Sequence, residues 1–567
     1  MGGAGIELRP HDRHLLLVSK VCASTAHTVC NSNKKITSIS LFLSHFHRLD
    51  IPAALHQQLK DYMPESNEFE FQFNLLYTVY SLPNVILPFF GGYVVDSFGA
   101  PVCLGVFAFL CWVGQLMFAV GALVKRWPIM LLGRTVYGFG GESICVAYST
   151  LLSQWFAGRE VAFALGVALA ISRLGSVLNN LVSPEVADKL STPCALFMGV
   201  VLNSISLMTT FVIWYIDERA KGPCPPTIET MTTDDMAEPL LSGETERVHE
   251  STEESAPASL WDVTKFGSMF WLLSLSCLVV YGCVLPFNNV ASGILLERNY
   301  FRVPPADCVL AFPDQCTSGT LQNETNPSTD ANGNTCPSKD FAPVLPTSIN
   351  RTGAYRVESL SAPDVDCDES FWAVGCTRDY CEAQSRASEK AGRVMSIPYF
   401  ISASLSPILG HIVDKIGQRA LIASFASVLL ICVHTTMALS HTSPVAPLVG
   451  QGIAYALYAS VLWPSVTLTV EERLTGTAFG VITSIQNIGL ALFPLLIAAI
   501  YDQSGRQYIP YVELFFVACA TLGTICGIFL NILDRRKGRI LNSVASSRPP
   551  EECRYSELEV TQDGGNA

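Results

Sequence analysis

The sequence predicts an all-α membrane protein made of two six-helix bundles. Three observations lead there. Apolar runs of about 18 residues or more recur along the chain, long enough to cross hydrocarbon as helices. Of the 567 residues, 49% are hydrophobic and 15% charged, where a soluble protein would carry about 25% charged residues. A turn built on Gly, Asp and Gly also appears twice, after the second and the eighth expected spans. Because the runs are continuous and not alternating, a spanning β-barrel is excluded.

Residues 1–70 give the weakest signal. The apolar run from Leu15 to Val18 stops at Lys20, and the stretch beyond it is broken by Asn31, Lys34, Lys35, His45, His47, Arg48 and Asp50. Pairing of the remaining spans requires a first helix here. It is either Ile36 to Leu55 with polar residues facing a cavity, or a damaged helix between Leu17 and Asp50. From Phe71 the spans are clear: Phe71–Val95, Val102–Val124, Pro128–Phe156, Val161–Val182 and Cys194–Ile216 complete an N-terminal bundle over residues 1–216. Residues 217–263 are acidic, rich in Ser, Thr and Pro and poor in aromatics, so a disordered cytosolic linker is expected. A second bundle over residues 264–533 comprises Phe266–Val290, Val394–Val413, Ala420–Leu439, Pro444–Val470, Ala478–Ile500 and Tyr511–Leu533. It is interrupted by a luminal insert at 298–390 and followed by a cytosolic tail at 534–567.

Charge placement sets the expected orientation. One set of loops carries Arg159, Arg219, Lys221, Lys415, Arg419 and Arg473, with Arg535, Arg536, Lys537 and Arg539 after the last span. The other side carries only Lys60, Lys125, Arg126, Lys189 and Arg506. The bias favours both termini in the cytosol. The net charge of −13 comes mainly from the two soluble loops and supplies no basic patch, so nucleic acid is not an expected partner. No cleavable signal peptide is apparent.

The insert holds Cys308, Cys316, Cys336, Cys367, Cys376 and Cys381, and the glycosylation sequons Asn323-Glu-Thr and Asn350-Arg-Thr. Both features fall on the side that the loop charges assign to the non-cytosolic space. The cysteines there read as up to about three disulfides, with fifteen pairings open. The rival, a zinc site, lacks paired C-x-x-C spacing and any histidine in the insert, so no metal or other cofactor is expected. No nucleophile–base constellation, P-loop or metal motif stands out, so an enzyme is not expected.

Two charges stand where none should. Glu142 and Arg173 lie deep in adjacent apolar arms joined by the turn Ala157-Gly-Arg-Glu160. Each is roughly 15 residues from that turn, about 22 Å at ~1.5 Å per residue, close to the bilayer midplane. A charge there costs on the order of 3 kcal/mol. Three readings remain open. The pair locks two helices together. It holds a ligand, the carboxylate taking an ammonium and the guanidinium a carboxylate. Or Glu142 titrates in a proton-coupled cycle that Arg173 biases.

The repeated turn reads Gly91-Gly-Tyr-Val-Val-Asp96-Ser-Phe-Gly99 in the first half and Gly410-His-Ile-Val-Asp414-Lys-Ile-Gly417 in the second. Recurrence at equivalent places indicates a duplicated transporter with a midplane site. These turns resemble the loop signature of the major facilitator superfamily, with Ser97 standing where a basic residue is usual. GRTVYGFGG, which contains Arg134, resembles that superfamily's Arg-plus-glycine motif and gives Arg134 a structural polar role. LLYTVYSLPNVILPFFGG, GRTVYGFGGES, ISRLGSVLNN, SPILGHIVDKIG, LWPSV and GTAFGVITSIQNIGLA together resemble a lysosomal branch of the superfamily.

That resemblance implies a uniporter carrying dipeptides from the lysosomal lumen to the cytosol by alternating access. Glu142 and Arg173 would bind substrate, while Asp96 and Asp414 would gate. It further implies a multi-pass lysosomal membrane protein and a heavily glycosylated accessory protein as partner, although the insert with its own sequons offers shielding of its own. A homodimer is a further open expectation. Additional cavity candidates on the spans are Tyr77, Asn289, Tyr399, Trp463, Gln486 and Asn487. In the tail, Tyr555 and Leu558 resemble an adaptor-binding sorting signal. The alternatives are a proton-coupled symporter of another small organic ion, a non-transporting receptor or scaffold acting through the insert, and residence in the plasma or another internal membrane.

Overall fold

The computed structural model describes residues 55–63, 69–156, 160–220, 259–304, 377–440 and 442–544, with short pieces between 328 and 372. The expected first span (Leu55 apart), most of the linker, and Tyr555 and Leu558 lie outside the described residues. Among the described residues, eight helices are long and apolar enough to cross a membrane, or nine if one bent pair is a single span.

The helices are α1 (His56–Tyr62), α2 (Phe69–Ser81), α3 (Leu87–Phe98), α4 (Ala100–Leu123), α5 (Trp127–Gly141), α6 (Ser143–Trp155), α7 (Val161–Lys189), α8 (Thr192–Ala220), α9 (Ser268–Leu295), α10 (Arg378–Ile416), α11 (Arg419–Leu439), α12 (Val445–Val466), α13 (Thr475–Gln503) and α14 (Tyr511–Arg536). Every span expected from Phe71 onward is therefore helical, but three differ from the expected single span. The first is α2–α3, which bends by 51° across a 3-10 turn at Pro83–Val85. Pro83 and Pro88 each open a new helical segment, where their missing N–H costs least. The second is Pro128–Phe156, which breaks at Glu142 into α5 and α6. Glycines at 138, 140 and 141 weaken helix propensity just before the break. The third is α10, which begins at Arg378 rather than Val394. Its polar first turns are supported by the i,i+4 pairs Arg378–Glu382 at 2.8 Å and Arg386–Glu382 at 3.4 Å, and by Arg393–Glu389.

The chain forms two compact units. One comprises Met1–Ala157, Ile171–Phe266 and Val470–Ser484, the other Gly158–Ala170, Gly267–Thr469 and Ile485–Ala567. Neither follows a sequence half strictly, because α7 and α13 each begin in one unit and end in the other.

In the first unit, Leu55, Leu59 and Met63 of the α1 region are buried with Phe73, Leu76, Phe118, Met130 and Leu196. Helices α4 and α5 touch through backbone: a Cβ on Gly114 would fall 2.4 Å from the Tyr137 nitrogen and 2.7 Å from the Gly133 oxygen. With no hydrophobic drive between helices in lipid, such small-residue contacts supply the dispersion that holds them. Before α9, Ser259 and Asp262 form a capping box. A hydrogen bond from Lys265 and the Ser259 N–H hold the Asp262 carboxyl below its ordinary range.

In the second unit, α14 lies against α11. The Asn531 side chain donates to the Ala420 carbonyl at 2.9 Å and to Ser424 Oγ at 3.0 Å. After α9, neighbouring residues of opposite charge each hold backbone at or beside a helix end. Arg298, 2% exposed, donates to the Met437 carbonyl at 3.0 Å and to the Ser440 carbonyl at the end of α11. Glu297 accepts from the N–H groups of Tyr508 at 2.7 Å and Ile509 at 3.0 Å, just before α14. Deeper, His434 Nδ1 lies 2.8 Å from Glu513 Oε2, both fully buried among Phe287 and Phe516. Large apolar side chains such as Phe425, Leu495 and Phe529 stay exposed, as a hydrocarbon solvent allows.

The insert carries two small hairpins. β1 (Ser328–Thr329) pairs with β2 (Thr335–Cys336), and β3 (Ile349–Arg351) with β4 (Tyr355–Val357). Asn350 lies in β3 opposite Arg356, and Cys336 ends β2. Cys367 is disulfide-bonded to Cys381 in the first turn of α10, beside buried Val365, Trp372 and Tyr380. Asn323, Cys308, Cys316 and Cys376 lie outside the described residues. Among the described residues no cluster of His, Cys, Asp or Glu is arranged to hold a metal.

Cutting the buried His434–Glu513 pair leaves one polar group stranded. His434→Ala should cost about 3 kcal/mol or more, read as a lower melting temperature in detergent. Replacing both with leucine should cost clearly less than either single change, since no orphaned group remains.

Candidate functional site

The candidate site residues divide between the units. In the first unit the break between α5 and α6 sets Glu142 apart. Its backbone is helical (φ −85°, ψ −36°), and its carbonyl takes the N–H groups of Cys145 at 3.0 Å and Val146 at 3.3 Å. The helix thus restarts at once, and the side chain sits half-buried at the junction. Tyr80 of α2 donates its hydroxyl to Glu142 Oε1 at 3.2 Å.

Tyr80 was not among the sequence candidates. Its ring also lies 5.1 Å from the Arg134 guanidinium, which is fully buried and further faced by Tyr137 at 5.5 Å and Phe118 at 5.7 Å. Desolvated contacts of this kind hold a guanidinium strongly. The glycines make room for this arrangement: a Cβ on Gly138 would meet the Tyr80 carbonyl at 3.0 Å, and one on Gly141 the Tyr80 hydroxyl at 2.9 Å. Two glycines three apart on one face of GRTVYGFGGES signal a close neighbour, and an aromatic from α2 fills that place. Arg173, 8% exposed, sits within α7 in the same unit. Tyr77, also on α2, is half-buried, its ring 5.7 Å from Phe73.

In the second unit, Trp463 of α12 donates its indole N–H to the Tyr281 hydroxyl at 3.1 Å. Tyr281, also missed in the sequence, stands at the centre of an aromatic group. The rings of Tyr455 and Tyr458 lie 5.8 Å away and that of Trp463 6.3 Å. The Tyr458 hydroxyl is held by Ser276 at 2.9 Å. Tyr399 follows Pro398 within α10 and is 37% exposed. Asn289 is exposed on α9 past Pro286, and Gln486 and Asn487 are half-buried on α13.

The repeated turns have matching geometry. Asp96, at the end of α3, accepts from the N–H groups of Gly476 at 2.7 Å and Thr477 at 2.6 Å, and from the Thr477 hydroxyl at 2.6 Å. Asp414, at the end of α10, accepts from the N–H groups of Ala162 at 3.1 Å and Phe163 at 2.8 Å. Arg419 stands 3.6 Å from Asp414. Each carboxylate therefore closes the N-terminus of another helix, α13 or α7, where free N–H groups and the helix dipole favour an anion. Glycine lets the backbones approach: a Cβ on Gly92 would reach the Gly476 oxygen at 2.2 Å, and one on Gly410 the Ala162 oxygen at 2.3 Å. Together, the first unit offers a carboxylate with a phenol donor and a buried guanidinium, groups that bind ammonium and carboxylate respectively.

The family model of the Major Facilitator Superfamily matches residues 56–296 and 382–552. The human lysosomal dipeptide transporter MFSD1 is 27% identical over 523 residues, covering 90% of this chain and 87% of that protein. The zebrafish (Danio rerio) protein of that name is 27% identical over 510 residues, 88% and 86%. Among solved structures, the proton:xylose symporter XylE aligns with a TM-score of 0.56 at 10% identity, covering 89% of this chain and 96% of that one. The transporter FucP in its outward conformation aligns with 0.54 at 12%, covering 87% and 97%. The likeness to these two solved structures is one of fold.

Removing either capping carboxylate leaves helix N–H groups without an acceptor. Asp96→Ala and Asp414→Ala should each cost about 1–2 kcal/mol, read as a fall in melting temperature. The double change should be nearly additive, because the two caps share no partner.

Proposed function

The chain belongs to the major facilitator superfamily, and from that premise we propose that it is a uniporter moving dipeptides from the lysosomal lumen to the cytosol by alternating access. It is a multi-pass membrane transporter and not an enzyme. The observation that carries the substrate reading is Glu142, set at a helix break with Tyr80 donating to it, in the same unit as the buried Arg173.

A dipeptide is a zwitterion with ends of opposite charge. Its ammonium goes to Glu142 and its carboxylate to Arg173, so the filled site is neutral overall. The Tyr80 hydroxyl orients the Glu142 carboxylate through Oε1 and so aims it at the ammonium. A guanidinium can meet a carboxylate with two parallel N–H bonds, which gives direction as well as strength. Tyr77 is a further contact from α2. Asn289, Tyr399, Trp463, Gln486 and Asn487 are the candidates of the other unit. Gating consists in making and breaking the caps at Asp96 and Asp414, while Arg134 keeps a structural role within its aromatic surround.

Residence in the lysosomal membrane is supported by the relatives, whose names place them there. An orientation with both termini cytosolic is supported by the loop charges and by the Cys367–Cys381 bond, which suits an oxidising lumen. Glycosylation at Asn323 and Asn350, and a glycosylated accessory protein, belong to the same reading.

Purified protein in liposomes tests it. Wild type should exchange dipeptides, and Glu142→Gln and Arg173→Gln should each reduce flux at least tenfold. The two ends separate the roles. N-acetylated dipeptides should bind wild type weakly and lose nothing further on Glu142→Gln, whereas C-amidated ones should behave that way on Arg173→Gln. Normal flux in both single variants would overturn the assignment, and solute-driven acidification of the receiving compartment would replace uniport with proton symport.

A further inference from the structure

A cavity of about 370 Å³ opens where α9 begins and α14 ends. It lies in the second unit, and none of the residues assigned above to substrate or gating lines it. Leu272, Phe529, Ile532 and Leu533 line it, with Ser268 and Arg536 as its polar groups. Phe529 and Ile532 are exposed, so the cavity is a groove open to the hydrocarbon side. Its polar end coincides with the last turn of a membrane-spanning helix, where headgroups begin. Exposed Trp271, one turn along α9 from Ser268, suits that boundary depth.

The charge at that end is concentrated and held in place. Arg535, Arg536, Lys537 and Arg539 are all exposed. The acid in this run, Asp534, is turned inward, away from the exposed rim. It is fully buried and accepts from the Leu541 N–H at 2.7 Å and the Asn542 N–H at 3.2 Å. That turn is tied in turn to α11: the Asn542 side chain accepts from the Ala420 N–H at 3.1 Å, and the Leu541 carbonyl from the Arg419 N–H at 3.3 Å. The basic residues thus sit on a folded platform. Lys537 Nζ lies over the start of α9, 3.7 Å from where a Cβ on Gly267 would be.

We infer that this groove binds one anionic phospholipid from the leaflet it faces. An acyl chain lies along Leu272, Phe529, Ile532 and Leu533, and the phosphate is met by Arg536 and Lys537. Apolar floor and cationic rim occur together, and a phospholipid with a net negative headgroup satisfies both at once. A soluble anion would satisfy only the rim, and a zwitterionic phospholipid, whose phosphate is offset by its own ammonium group, would meet the rim only weakly. The inference is independent of what the transporter carries.

The test uses the full-length protein in detergent micelles doped with spin-labelled phosphatidylserine or phosphatidylcholine, reading the motionally restricted fraction. Wild type should retain phosphatidylserine at least fivefold over phosphatidylcholine. Arg536→Gln with Lys537→Gln should abolish that preference. Ser268→Phe, which fills the groove and leaves the basic cluster intact, should also lower phosphatidylserine retention. If that variant does not fold, Ile532→Trp on the exposed wall takes its place. Millimolar inorganic phosphate should fail to displace the lipid. Equal retention of the two lipids by wild type, undiminished retention with the groove filled, or displacement by inorganic phosphate would each overturn the proposal.

Discussion

A helix that starts at a membrane boundary exposes N–H groups with no partner within the helix, and hydrocarbon offers none. This fold meets that constraint with carboxylates borrowed from other helices. Asp96 closes α13, Asp414 closes α7, and Glu297 serves the backbone just ahead of α14. Arg298 does the converse for the carbonyls that end α11. In each case a charge that would be costly alone is matched to a helix end of opposite partial charge. Asp96 and Asp414 act on helices distant in sequence, and the first turns of α13 and α7 fall in the same compact unit as the carboxylate that caps them.

The same economy of polar groups explains how the site is built. Glu142 is kept in an apolar span by a break in the helix and by the Tyr80 hydroxyl. Tyr80 in turn lies against the buried Arg134, so one aromatic side chain connects that buried cation to the candidate ligand-binding carboxylate. The glycines of the Arg134 motif shape the slot that Tyr80 occupies. The run of small residues in the sequence is a closely fitted contact in three dimensions.

Much of the fold was legible because lipid imposes a strong rule: continuous apolar runs must be helices, and charges within them stand out. Glu142 and Arg173 were visible by that contrast, and Asp96 and Asp414 by the turn that repeats in the two halves. The second unit was harder to read. His434 and Glu513 are 79 residues apart in sequence and pair only because α11 packs on α14. Tyr281 looked like one aromatic among many, and its central position depends on α9 meeting α12. The break at Glu142 was missed because hydropathy measures length and not continuity. The early start of α10 was missed because a polar helix outside the bilayer carries no apolar signal, only charged pairs at helical spacing. Partners brought together by tertiary packing leave no local mark, which is why single residues were found more readily than the groups they belong to.

The backbone contact between α4 and α5 has a consequence for how this protein tolerates change. At Gly114 and Gly133 even one added methyl group would drive into a neighbouring main chain that has nowhere to retreat. The lipid-facing positions of the same helices accept many apolar residues of different shape. Drift should therefore be rapid on the outer faces and nearly frozen along this line of glycines. Two distant descendants of such a chain would be recognisable less by their hydrophobic content than by the places where they have no side chain at all.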